Sequence, residues 1–263
     1  MFKTLPTKLV TGNRWIFPKI IFNISLRKCH QKDPLAHNVD DRNSIITDQS
    51  FTTQITFHGE WPADDRLKFQ TDMTVIPNFI TEAEEKSLLE ELEPYLKRMR
   101  YEFDHWDDAI HGYRETERKH WFPTNRVVFD RLKTTAFQGE TLPHVHVLDL
   151  AKEGVIKPHV DSVRYCGNII AGISLLTDSV MRMVRTNDEK QTNAEYRQVF
   201  ETNRDDMYWS DVLLTRRSLY IMRDSARYKY THEILAGEDS LFKHKKVDKG
   251  RRISIICRNA PQS

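Results

Sequence analysis

The sequence predicts an α+β fold, mainly β, in which helices precede an antiparallel sandwich or barrel. Seven short runs that favour β-strands follow one another from Val145 onward, and turns rather than helices join them. The clearest amphipathic helix pattern lies earlier, within residues 81–99. The chain has 263 residues, of which 39% are hydrophobic and 30% charged. It is therefore long enough to bury a substantial core.

The N-terminal segment differs in composition from the rest. Residues 1–32 carry seven Lys or Arg, no Asp or Glu, and interleaved apolar residues. This composition predicts a mitochondrial targeting segment, and hence a location in the matrix. The alternatives are a basic arm for nucleic acid and a frayed terminus. Without it, 33 Lys and Arg stand against 38 Asp and Glu, a net charge of −5 that weakens attraction to polyphosphate. Residues 33–69 are predicted to be a linker or N-terminal extension, and 70–260 the folded domain.

Two classes of protein are excluded by what the sequence lacks. No uninterrupted apolar run approaches the roughly 18–20 residues that a membrane span needs, so we predict no stable membrane insertion. Cys29, Cys166 and Cys257 are widely separated and form no CxxC pair. A disulfide framework and a thiolate zinc site are therefore not expected.

The helical part begins after a short strand. Val75–Pro77 predicts a strand that ends at the proline. Thr81 and Glu84 have the spacing of a capping box, and leucines follow on one face, so a helix is predicted to begin there. Pro94 either ends this helix or lies in the first turn of a continuation. A second helix is predicted at about residues 126–133.

The seven β-prone runs make up most of the remaining chain. They are Val145–Leu150, Ile169–Leu176, Val180–Val184, Val212–Leu214, Leu219–Met222, Tyr230–Leu235 and Ile253–Arg258. A polar stretch, Arg185–Asp211, interrupts them and predicts a long surface insertion.

Two His-x-Asp tripeptides could present an imidazole and a carboxylate to one metal ion, because residues i and i+2 share a face of a strand. His159 and Asp161 follow a turn at the start of the β-rich half, and His232 lies on a later predicted strand. We therefore predict these three as metal ligands and as the catalytic centre. His105 and Asp107 have no comparable strand of arginines downstream, and we assign them to the surface or the rim of the site.

The last strand carries two arginines on one face. Arg252, Ser254, Ile256 and Arg258 alternate with apolar residues. Arginines on an otherwise apolar strand are costly unless they meet an anion, the alternative being an edge strand whose arginines reach water. Two histidines and a carboxylate form the facial triad of non-haem Fe(II) oxygenases, which leaves positions for a 2-oxo acid and dioxygen. A guanidinium suits the distal carboxylate of 2-oxoglutarate, and we predict Arg252 in that role.

Longer motifs around these residues carry a family resemblance. The segments are HVLDLAKEGVIKPHVDS, CGNIIAGISLL, SLYIMRDSARYKYTHEI and KGRRISIICR. Over roughly residues 70–260 the chain resembles the AlkB family of Fe(II)/2-oxoglutarate dioxygenases, and a mitochondrial member in particular. The resemblance implies a double-stranded β-helix (jelly-roll) core with N-terminal helices packed on one sheet. It also implies that Tyr220 and Arg258 join Arg252 in holding 2-oxoglutarate. Because six residues of strand span about 20 Å, the alternative is that one arginine contacts the co-substrate and the other a protein carboxylate.

The sequence departs from that family where substrates are selected. Nucleic-acid repair members carry Asn and Tyr at the positions of Leu148 and Leu150, so an apolar pocket is expected here. We therefore predict oxidation of a C–H bond of a protein or metabolite, and we do not expect DNA to be the substrate. The resemblance further implies a part in programmed necrosis and in fatty-acid metabolism.

Two alternatives stay open. A demethylase of mitochondrial RNA is supported by the basic patch within residues 243–252, and steep salt dependence of RNA binding would favour it. A non-catalytic jelly-roll binding protein is opposed by the complete set of metal-ligating residues. Iron titration followed by measurement of succinate release would distinguish a non-catalytic binding protein from an enzyme.

Overall fold

Antiparallel strand pairing organises the chain. A computed structural model describes residues 52–103, 105, 108–186 and 207–261. The strands are β1 (Ile55–His58), β2 (Met73–Ile76), β3 (Ile110–Arg118), β4 (Val145–His159), β5 (Ile169–Leu175), β6 (Ser179–Arg185), β7 (Trp209–Leu214), β8 (Leu219–Arg223), β9 (Tyr230–Ile234), β10 (Leu241–Phe242), β11 (Lys245–Lys246) and β12 (Arg252–Arg258). The α-helices are α1 (Ala63–Asp72), α2 (Glu82–Leu96), α3 (Pro123–Ala136) and α4 (Asp224–Tyr228).

Ten of these strands form one sheet that folds over along its longest strand. The order is β1-β7-β6-β9-β4-β12-β5-β8-β2, with β3 also paired to β4. The first half of β4 pairs with β12, where Leu150 lies opposite Arg252, and its far end pairs with β9, where His159 lies opposite His232. Because β4 serves both halves of the sheet, the strands enclose an interior. The predicted jelly-roll fold is confirmed.

Two apolar cores lie on the two sides of this curled sheet. The inner core, between its halves, includes Leu148, Ile170, Met183 and Ile256. The outer core joins one half to α2 and α3. Its members include Leu88, Leu92, Val128, Phe129, Leu132, Ile173, Ile253 and Ile255. The prediction that the helices pack on one sheet is therefore confirmed, and the burial of these side chains is the main contribution to the stability of this layer.

The first strong helix begins where the sequence predicts it. The Thr81 side chain accepts a hydrogen bond from the Glu84 backbone N–H at 3.2 Å, and the Glu84 carboxylate accepts one from the Thr81 N–H at 2.8 Å. Pro94 lies inside α2, which continues to Leu96. The second helix is longer than predicted because Pro123 begins it at the first helical position, where a missing N–H costs nothing.

All seven predicted runs form strands, but the predicted start of the domain is wrong. Inside the predicted linker 33–69, β1 pairs with β7, and Phe69 of α1 is fully buried. The fold therefore begins before residue 70. The targeting segment 1–32, residues 33–51 and most of the predicted insertion (187–206) lie outside the described residues. Among the described helices, none combines the length and the apolar character needed to cross a membrane.

Candidate active site

The three predicted metal ligands meet at one end of the interior. His159 ends β4, His232 lies opposite it on β9, and Asp161 follows two residues after His159. Their ligand atoms all lie within 4.8 Å of one another. His159 Nε2 is 3.6 Å from Asp161 Oδ1, and the two imidazole centroids are 4.2 Å apart. The antiparallel register of β4 and β9 thus places both imidazoles beside the carboxylate.

The protonation of these groups suits a divalent metal. His159 Nδ1 lies 2.9 Å from the carbonyl oxygen of Lys157, which can only accept, so Nδ1 carries the proton and the Nε2 lone pair is available. Burial, with the adjacent His159, lowers the pKa of His232 to about 3 and keeps that ring neutral. Burial alone would raise the pKa of Asp161, but its contact with His159 and the positive charge of nearby Arg258 hold that pKa well below its usual range. Two neutral imidazoles and one carboxylate form a donor set that fits Fe(II).

A cavity extends from this donor set to a buried arginine. Arg252 is 2% exposed, and its Nε donates to Ser174 Oγ at 3.0 Å. The hydroxyl of Tyr220 lies 3.3 Å from Ser254 Oγ on the same wall. Within the described part of the chain, no carboxylate pairs with Arg252, and burial lowers the pKa of its guanidinium. A buried cation without a carboxylate partner fits an anionic ligand.

Both arginines of the last strand line this one cavity. Arg252 lies at one end of the cavity-lining face of β12 and Arg258 at the other, with Ser254 and Ile256 between them. Arg258 Nη2 donates to His146 Nδ1 at 3.1 Å. Because β12 lies between β4 and β5, the alternative of an edge strand is wrong. The cavity walls are otherwise mainly apolar and include Leu148, as the sequence predicts.

Two further residues shape the cavity, and both lie within the segment CGNIIAGISLL, although neither is among the predicted site residues. Ser174 holds the Arg252 guanidinium, and Gly172 lies opposite Tyr220 in the pairing of β5 with β8. A Cβ atom at Gly172 would collide with the phenol ring of Tyr220. The absence of a side chain at 172 therefore permits the ring to lie where it does. Both residues belong to β5, which was predicted as a strand but not assigned to the site.

A second, wider cleft opens from the metal ligands toward solvent. His105, Glu115, Glu117, His146 and Tyr165 contribute to its lining. The His105 side chain is 11% exposed, and its Nε2 lies 3.9 Å from Glu115 Oε1. This position agrees with the predicted rim role of His105, whereas Asp107 lies outside the described residues.

The predicted basic patch does not form a single solvent-facing surface. Arg251 donates to both oxygens of Asp149, at 2.9 and 2.7 Å, and to Glu93 at 2.6 Å. Lys249 is 7% exposed and donates to two backbone carbonyl oxygens, while Arg252 faces the cavity. The cations of the patch that remain at the surface are Lys243, Lys245 and Lys246.

Comparisons with known proteins identify close relatives. No family model matches the chain. "Alpha-ketoglutarate-dependent dioxygenase alkB homolog 7, mitochondrial" from Bos taurus is 47% identical over 197 residues, which cover 74% of this chain and 81% of the relative. The Mus musculus protein of the same name is 46% identical over the same shares. Among solved structures, "The structure of OsALKBH1" aligns over 78% of this chain and 100% of that chain, at 11% identity and a TM-score of 0.48.

Proposed function

The chain belongs to the alkB homolog 7 family of alpha-ketoglutarate-dependent dioxygenases, and on that premise we propose that it oxidises a C–H bond of a protein or a metabolite in mitochondria. The observation that supports this proposal best is the arrangement of one cavity. Three metal-ligating side chains line one part of it, and a buried arginine without a carboxylate partner lines another. The names of the two relatives support the mitochondrial location.

Each part of the cavity has a role in this proposal. His159, Asp161 and His232 would hold Fe(II), and Arg252, oriented by Ser174, would bind the distal carboxylate of 2-oxoglutarate. When bound, Fe(II) and 2-oxoglutarate supply the oxidising chemistry, with dioxygen consumed and succinate and carbon dioxide released.

The remaining cavity residues orient the co-substrate and limit the access of water. The Tyr220 hydroxyl would donate a hydrogen bond to the same co-substrate, and Arg258 would neutralise negative charge near the metal. The apolar walls around Leu148 exclude bulk water, which strengthens the ionic contacts within the cavity.

The surroundings of the metal ligands favour a protein or metabolite over a nucleic acid. Leu148 lines the cavity and Leu150 is buried in the inner core, so both positions are apolar. The outer cleft presents Glu115 and Glu117, whose carboxylates repel phosphates. Arg251 is held by carboxylates and is not available to bind RNA, so the main support for the demethylase alternative is weakened.

Three finer attributes stay predictions. The matrix as the compartment within mitochondria follows from the composition of residues 1–32. A part in programmed necrosis and a part in fatty-acid metabolism follow from the family resemblance. Loss of the gene product in cells, rather than the geometry of the site, would test the latter two.

The proposal is tested by loading the purified protein with Fe(II) under anaerobic conditions and then adding 2-oxoglutarate and dioxygen. The wild-type protein should bind iron and release succinate without an added substrate. His159→Ala and His232→Ala should abolish both, because each removes a metal ligand. His105→Ala is the matched control and should retain them. A protein that refuses iron would support the non-catalytic alternative, and equal loss in His105→Ala would mean that the wrong histidines were assigned.

The substrate can then be sought by capture from mitochondrial extracts. The wild-type protein, loaded with 2-oxoglutarate and a redox-inactive metal, should retain a protein or metabolite that Asp161→Ala does not. Retention of RNA, lost when Lys243, Lys245 and Lys246 are replaced by Gln, would instead favour the demethylase.

A further inference from the structure

A chain of polar side chains leads from the outer cleft to the metal end of the inner cavity. Glu115 of β3 lies beside His146 of β4, with 2.7 Å between Glu115 Oε2 and His146 Nε2. The other ring nitrogen of His146, Nδ1, accepts a hydrogen bond from Arg258 Nη2 at 3.1 Å. Arg258 lines both the cavity and the cleft. None of the proposed metal ligands belongs to this chain of contacts.

The contacts fix the tautomer of His146. An arginine always donates, so His146 Nδ1 carries no proton and its Nε2 carries one. That proton is donated to Glu115, whose pKa is lowered mainly by this hydrogen bond and which is therefore an ionised acceptor. Glu115 thus holds the imidazole in the tautomer and orientation in which Nδ1 accepts a hydrogen bond from Arg258. Carboxylates fix the tautomer of functional histidines in other proteins in the same way.

Arg258 has little else to orient it. Its Nε is buried without a hydrogen-bond partner among the described residues, and no carboxylate in that part of the chain pairs with it. A guanidinium with unused donors in a cavity, held by one side chain, is prepared for an anion. We propose that the Glu115–His146 couple positions Arg258 for binding 2-oxoglutarate at the metal end of the cavity. This inference rests on the proposed function and makes His146 a positioning residue.

A second metal site is the competing interpretation of this cluster, and the geometry does not support it. His105, Glu115 and His146 supply two imidazoles and a carboxylate, as the triad does. In the described ranges, however, the triad is the only group of three such donors whose ligand atoms all lie within 4.8 Å. Because His146 Nδ1 accepts from a guanidinium, the proton is on Nε2, which therefore has no lone pair for a metal ion.

The test measures binding of 2-oxoglutarate by calorimetry to full-length protein loaded with Mn(II), which replaces iron without turnover. His146→Leu removes the acceptor for Arg258 and should weaken 2-oxoglutarate binding about tenfold. His146→Asn keeps an oxygen at the position of Nδ1 and should restore binding to within about threefold of wild type. His144→Leu, at an exposed position two residues earlier, is the matched control and should bind as wild type does.

Affinity for Mn(II) and the melting temperature are measured for each variant, because a substitution that merely disturbs the structure would lower them as well. The inference holds if His146→Leu retains Mn(II) affinity while losing 2-oxoglutarate affinity, and if His146→Asn recovers the latter. It is overturned if His146→Leu binds 2-oxoglutarate as wild type does, or if His146→Asn is as weak as His146→Leu. Failure of the wild-type protein to bind 2-oxoglutarate at all would count against the proposed function itself.

Discussion

Gly172 is a sensitive position in the cavity, because it leaves room for an aromatic ring. It lies on β5 directly opposite Tyr220 of β8. A Cβ atom built at Gly172 would lie 2.5 Å from Tyr220 Cε1, and still closer to Cζ and the hydroxyl oxygen. The backbone of Gly172 is that of an ordinary strand, so alanine fits its dihedral angles. The strain in Gly172→Ala would therefore come from the ring.

The expected cost can be worked from this overlap. Inserting a methyl group into a packed core costs about 1–3 kcal/mol, so the melting temperature should fall by roughly 2–12 °C. The ring must move away from the strand, and its hydroxyl then leaves the wall that it shares with Ser254. Losing one hydrogen bond to 2-oxoglutarate would weaken binding by about 1 kcal/mol, or roughly fivefold.

Two further variants make the assay decisive. Gly139→Ala is the control, because no atom lies within 4 Å of its added Cβ, and it should leave the melting temperature and 2-oxoglutarate affinity unchanged. In a Tyr220→Leu background, Gly172→Ala should cost far less than in the wild type, since the ring is gone. Scanning fluorimetry and calorimetry give both quantities. An equal cost in the two backgrounds, or no cost at all in the wild type, would refute the steric argument.

Asp149, Thr81 and His232 allow independent tests of the fold and of the metal site. Asp149→Asn should lower the free energy of unfolding by about 3–5 kcal/mol in urea titrations, because Arg114 and Arg251 share that fully buried carboxylate; an unchanged midpoint would contradict this. Thr81→Ala should cost about 1 kcal/mol in the same assay by removing the cap of α2, and a neutral result would mean that the capping box contributes nothing. Mn(II) at one hundred times its Kd should stabilise the wild type by about 2.7 kcal/mol, and the same shift in His232→Ala would exclude the assigned site.

Local chemistry made most of the fold predictable. Residue type and spacing alone predict the strands after Val145 and the start of the helix at Thr81. The jelly-roll arrangement of the strands follows from the family resemblance. The strand β3 was missed because its sequence, IHGYRETER, is charged and shows little apolar alternation. It is a strand because β4 pairs with it. The predicted linker similarly concealed α1, whose Phe69 is buried by tertiary contacts that no local pattern reports.

The sequence likewise predicts some residues of the candidate site but not the contacts between them. The metal-ligating residues could be found because their chemistry is unusual and His159 and Asp161 lie close in sequence. Their convergence with His232 depends on the register of β4 with β9, which the sequence did not specify. Glu115 and His146 were not linked, because they come from different strands and become partners only across a pairing.

Arg251 and Arg252 show how the structure separates a stabilising arginine from a binding one. They are consecutive and belong to one basic patch in the sequence, yet adjacent residues at the start of a strand face opposite sides. Arg251 meets Asp149 and Glu93, so its charge is compensated within the fold. The described hydrogen-bond partners of Arg252 are hydroxyl groups, those of Ser174 and Tyr220, although it is the more buried of the two arginines. A buried charge without compensation lowers the stability of the fold. The presence of Arg252 in the cavity is therefore explained if a bound anion compensates its charge, as the distal carboxylate of 2-oxoglutarate would.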